Sequence, residues 1–184
     1  MRSFHTEAVG KAEVLWTQYL YTDAGDATEL AWALSNASSS YGQRGERDAA
    51  IESCELAARI LRDRIDQGIG TQQDESDLPL LLSNLAGAHG DAHHPVEHLA
   101  TWSDAVQMQR RVMATQPCED DDWVLAGLLD GYADAAIDLG FESEAGRALR
   151  EAENLLADVS QRRPMAARVI MDQVEATRTK LRSR

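Results

Sequence analysis

The sequence predicts an all-α chain, an α-solenoid of about three helix–turn–helix repeats, and two observations predict it. The first is helical periodicity with graded residue size. Between Leu30 and Ile60, Leu34, Ala37, Ser38 and Tyr41 share one stripe, Gly45 breaks it, and Ala50, Cys54, Ala57 and Ile60 form a second. Such spacings place each set on a single helical face. Small Ser38, Ala50 and Ala57 stand where two antiparallel helices would cross, and large Leu34 and Tyr41 where they would fill the gap. The second observation is recurrence. Ninety-five positions on, without a gap, Leu129, Ala133, Gly140, Ala145 and Ala152 replace Leu34, Ser38, Gly45, Ala50 and Ala57. A weaker copy lies 48 positions on, with Leu82, Ala86 and Ala105. A fixed period with this content marks stacked helical units that share a continuous core.

The elements follow in order. Residues 6–20 carry Val9, Leu15, Trp16 and Tyr19 at helical spacing, like the second helix of a repeat whose first is missing. They form either an N-terminal cap or part of a longer array. Residues 21–25 form a loop, and Asp26 is suited to cap the next helix. Repeat one covers 26–68, with helices near 26–43 and 46–67 stopped by Gly68 and Gly70. The stretch 68–76 shows no packing pattern and is expected to be a mobile loop. Repeat two covers 77–115. Asp77 is its expected N-cap, Pro79 fits the first turn, and Pro95 opens its second helix. Residues 116–122 form a second loop whose carboxylates suit the N-terminus of the following helix. Repeat three covers 121–160, and Pro164 opens a last helix to about residue 183. All 184 residues are thus expected to form one domain.

The pattern resembles the tetratricopeptide repeat family. In the first helix that family places a large residue, an adjacent large–small pair and an aromatic; Gly follows in the turn and two alanines in the second helix. Leu34, Ala37-Ser38, Tyr41, Gly45, Ala50 and Ala57 match it, as do Leu129, Tyr132-Ala133, Gly140, Ala145 and Ala152, with Ala136 in place of the aromatic. The family's usual repeat is about 34 residues, and the period here is longer. Leu82-Ser83-Asn84-Leu85-Ala86 is closer to the longer kinesin-light-chain-like variant. The resemblance covers roughly residues 26–160. It implies a right-handed solenoid whose last helix covers the final repeat, and no enzymatic activity.

Composition limits the partners. The net charge of −13 argues against nucleic acid and anionic membranes. Residues 161–184 run the other way, with seven basic residues against Asp172 and Glu175. There is no transmembrane run, and Met1–His5 does not read as a signal peptide. Cys54 and Cys118 make no disulfide framework, so a reduced, cytoplasmic protein is expected. Arginine outnumbers lysine 16 to 2, as coding bias in a GC-rich bacterial genome would give.

Four of the five histidines fall between residues 89 and 98. His89/His93 and His94/His98 are each four apart, a spacing that can present two imidazoles to one metal such as zinc. The turn between Gly90 and Pro95 breaks that helix, and no Glu stands in an HExxH frame. The reading adopted is therefore no metal and no cofactor, with a zinc protein or metal-dependent enzyme as the alternative. Glu119–Asp122 lacks the alternating ligands and central Gly of a calcium loop. Phosphate-binding loops, nucleophile elbows and paired-Cys zinc motifs are absent from the sequence.

The resemblance implies a concave groove, lined by the first helices, that takes a peptide or partner protein. Its positions here are Trp32, Ser35, Asn36, Ser39 and Gln43; Leu80, Ser83, Asn84, Gly87 and Asp91; and Gly127, Asp130, Gly131, Asp134 and Asp138. Asn36 and Asn84 match an asparagine that bonds the ligand backbone, for which an amide offers both donor and acceptor. The basic residues that grip a C-terminal carboxylate in some members are missing. Asp130, Asp134 and Asp138, spaced by four, read either as a lane for Arg and Lys side chains of a partner or as an ordinary solvated face. Self-association, with the basic last helix meeting an acidic groove of a second copy, is a further alternative to the adaptor reading.

Overall fold

Every regular element among the described residues is an α-helix. The structure is a computed structural model and describes residues 9–12, 14–16, 26–118 and 120–184. Seven helices follow a helical piece at residues 9–12 and 14–16: α1 (Ala27–Gln43), α2 (Arg47–Asp66), α3 (Gln72–Asp91), α4 (Pro95–Thr115), α5 (Asp121–Asp138), α6 (Glu142–Arg162) and α7 (Pro164–Arg182). The rest of the helix expected over 6–20, and the loop 21–25, lie outside the described residues. None of the described helices is long and apolar enough to cross a membrane.

The chain divides into two compact units, residues 1–94 and 95–184, so the boundary falls between the two helices expected for repeat two. In the first unit α2 packs against α1, and α3 packs against both. In the second, α5 packs against α4 and α6, and α7 packs against α6 and α5. The small residues are where the helices meet. Ala37, Ser38, Ala50, Cys54 and Ala57 are buried in the first unit, and Ala133, Ala136, Ala145 and Ala152 in the second.

One expectation is corrected. The stretch 68–76 is not a loop throughout, because α3 starts at Gln72, five residues before Asp77. Thr71 caps it: the Asp74 amide donates to Thr71 Oγ1, and the Thr71 amide donates to Asp74 Oδ2. This reciprocal pair satisfies two amides that a helix start leaves open. Asp77, expected as the cap, lies inside the helix and accepts from Trp32 Nε1 and Gln73 Nε2, each at 2.8 Å. Pro79 is inside as well, and fully buried. Its ring breaks the backbone ladder locally, and burial among Leu78, Leu81 and Leu82 offsets that cost.

The same turn closes α1, α3 and α5. Glu46, His94 and Phe141 each donate a backbone N–H to the carbonyl five residues back, on Tyr41, His89 and Ala136. This bond needs a left-handed residue just before the donor. Gly45 and Gly140 supply it at φ 78° and 80°, and His93 supplies it at φ 61°.

Candidate functional site: a polar cleft in the first unit

The facing sides of α1 and α3 leave a cleft of about 740 Å³ in the first unit. Small residues make the space. Ser39, Gly42 and Gly45 stand on one side, Gly87 and Gly90 on the other, and a Cβ at Gly42, Gly45 or Gly87 would touch nothing within 4 Å. Below lies an apolar cluster of Ile51, Cys54, Leu85 and Ala88. Burial pushes the Cys54 thiol above its ordinary range, against a hydrogen bond with Ser38 that works the other way. This thiol is a core group, not a nucleophile.

Of the groove positions read from the sequence, Ser35, Ser39, Gln43, Ser83, Asn84, Gly87 and Asp91 line this cleft. Trp32, Asn36 and Leu80 do not. Trp32 is held by Asp77, and Asn36 is exposed outside the cleft. Asn84 Nδ2 donates to Ser35 Oγ at 2.8 Å, which ties α3 to α1 and fixes the amide. Once its donor is engaged in this way, the amide turns acceptor capacity toward a ligand. Arg47 and His93 also line the cleft, and the repeat pattern gave no reason to place them there. The side chains of Ser39, Gln43, Arg47, Asp91 and His93 have no hydrogen bond or ion pair to another described residue.

The cleft is framed by a buried anchor. Asp74, with no exposed surface, accepts from Thr28 Oγ1 at 2.7 Å, from the Thr71 amide and from Arg64 Nε at 3.2 Å. Burial alone would raise its pKa. The three hydrogen bonds and the Arg64 charge outweigh that and hold the carboxyl below its ordinary range.

The acidic positions of the second unit are engaged within the chain. Lys180 Nζ on α7 lies 2.7 Å from Asp134 and 2.8 Å from Asp138, and Arg184 lies 3.4 Å from Asp138. Burial would lower the Lys180 pKa, but the two carboxylates raise it overall. Asp130 is driven up by burial, opposed by a hydrogen bond with Thr177 and reinforced by the Asp134 charge. Gly131, where Asn36 stands in the first unit, is covered by the Trp102 ring; a Cβ there would lie 2.5 Å from it.

The histidines do not converge. His89 is buried with its ring 5.9 Å from that of His94, whereas His93 turns to the cleft and His98 stacks loosely on Trp102 at 6.4 Å. Among the described residues no three His, Cys, Asp or Glu side chains are grouped to hold a metal ion. Set beside known proteins, the chain matches no family model and no curated protein.

Proposed function

We propose that this chain is a non-enzymatic interaction adaptor, a right-handed array of tetratricopeptide-like repeats whose first unit holds an extended segment of a partner protein. The observation that carries this reading is the α1–α3 cleft, where five polar side chains have no partner among the described residues. Unsatisfied donors and acceptors on a surface of small residues match a polypeptide main chain, which presents both in alternation. Asp91 and Arg47 add one charge of each sign. The acidic positions 134 and 138 support a partner site less well than the cleft does, because Lys180 and Arg184 already neutralise them.

Gly87→Arg tests the reading. Position 87 is open, helical and on the cleft wall, so arginine fills the cleft without meeting backbone. Affinity capture from source cells should recover a protein with wild type and lose it with Gly87→Arg, at unchanged helicity. Equal recovery with both would remove the cleft from the function.

A further inference from the structure

Three positions 48 and 47 residues apart do the same backbone work, and one of them is the wrong residue for it. Gly45, His93 and Gly140 each take the left-handed conformation that lets the next amide close the helix. Glycine reaches that region without strain, whereas a residue with a Cβ is disfavoured there. His93 is the only non-glycine residue with positive φ among the described residues. Stored strain of this kind gathers at functional positions, and the inference runs from the outlier to the function. At Gly45 and Gly140 a side chain would meet nothing within 4 Å, so space is not what separates the three turns. What sets position 93 apart is that its side chain lines the cleft, exposed and without a partner.

We propose that His93 stands in place of glycine to read the segment bound in the cleft, and that with Arg47 it selects a carboxylate there. This deepens the adaptor reading and rests on it. Imidazole N–H and guanidinium are both donors, and a carboxylate is the one peptide group that accepts from two of them at once with charge assistance. Of the other charged groups lining the cleft, Asp91 carries the opposite sign and would repel that carboxylate. The partner's acidic group therefore sits on the Arg47 side and leaves Asp91 to a donor. The carboxylate is an Asp or Glu side chain or a chain terminus.

The test uses a synthetic peptide library on the full chain. Each peptide is made with a free and an amidated C-terminus, and with each Asp and Glu also replaced by Asn and Gln. Binders are those whose affinity is lost with Gly87→Arg. His93→Gly should raise the melting temperature by about 2–4 °C, since it relieves a left-handed residue, and should weaken carboxylate-bearing binders about tenfold while leaving their amide counterparts unchanged. His93→Asn, which tolerates the same backbone, should weaken binding to a similar degree without the thermal gain. Loss on amidation assigns the contact to a terminus; loss on Asp or Glu replacement assigns it to a side chain. Equal affinity of wild type and His93→Gly overturns the role of His93 while the cleft reading stands. If no peptide binds, or if binding ignores Gly87→Arg, the cleft reading fails and this proposal with it.

Discussion

The two units hold matching helices at matching places, yet one leaves a cleft open and the other closes it. Two cross-helix contacts set the correspondence. Asn84 meets Ser35 and Asp77 meets Trp32 in the first unit; in the second, Thr177 meets Asp130 and Ile170 packs against Gly127. Ser35 and Trp32 precede Asp130 and Gly127 by 95 positions, and both α3 residues precede their α7 counterparts by 93. In that frame Ser39 answers to Asp134, Gln43 to Asp138, Gly87 to Lys180 and Asp91 to Arg184. The positions that bound the open cleft are the ones that the second unit fills with an ion-pair cluster. Side-chain choice, not helix placement, separates a surface that can receive a ligand from one that has closed on itself.

The helices are also held by different forces. α3 buries Leu78, Leu81, Leu82, Leu85 and Ala86 and is pinned by the fully buried Asp74. α7 buries little beyond Ala167, Val174 and Thr177 and relies on half-exposed ion pairs from Arg178, Lys180 and Arg184. The largest expected effect follows from this contrast. Asp74→Ala leaves Arg64 and the Thr71 amide without their acceptor and should cost about 2–4 kcal/mol, read by urea unfolding at neutral pH. Because the folded carboxyl lies below its ordinary value of 3.8, its contribution is complete above that pH and fades as pH falls beneath it. The deficit of the variant should shrink in the same range. A loss under about 1 kcal/mol would mean that α3 is held no differently from α7.

A graft sharpens the comparison by converting one unit into the other. Ser39→Asp with Gly87→Lys would reproduce the Asp134–Lys180 pair across the cleft. The lysine replaces an exposed helical glycine, worth about 1 kcal/mol, and the pair adds a few tenths more. The doubly substituted chain should melt higher and lose every ligand of the cleft. A gain in stability with ligand affinity intact would show that the ion pair does not form there, and that the frame relating α3 to α7 is wrong.

What the sequence made legible were features of spacing. Helix positions and buried small residues such as Ala57 and Ala152 follow from the repeat, and so do the cleft positions Ser39, Gln43, Asn84 and Gly87. Misread were residues whose role depends on a distant partner. Asp74 was assigned to a mobile stretch because its hydrogen bond to Thr28 crosses 46 positions, although Thr71 three places before it was a readable capping signal. Asp134 and Asp138 were read as a lane for a partner's cations, yet the cations come from residues 180 and 184 of the same chain. His93 drew notice for its neighbours in sequence, as a metal candidate. Its place in the Gly45 and Gly140 series was the better clue, and the same alignment already contained it.

The smallest effect bears on how firmly the second unit stays closed. Lys180→Ala removes a cation from two carboxylates, but the side chains involved are a third to two-fifths exposed, so water and salt already screen them. The loss should be about 0.5–1 kcal/mol at low ionic strength and should nearly vanish in 1 M salt. The sign with pH is fixed by the Lys180 pKa, which lies above its ordinary 10.5 in the folded chain. Its contribution is therefore whole below that value and is lost as pH rises through the folded pKa. Wild type and variant should converge in alkaline solution, while at neutral pH the difference should respond to salt alone. A loss that survives 1 M salt would instead assign the contact of α7 with α5 to packing by the lysine stem, and the closed unit would then owe less to charge than its ion pairs suggest.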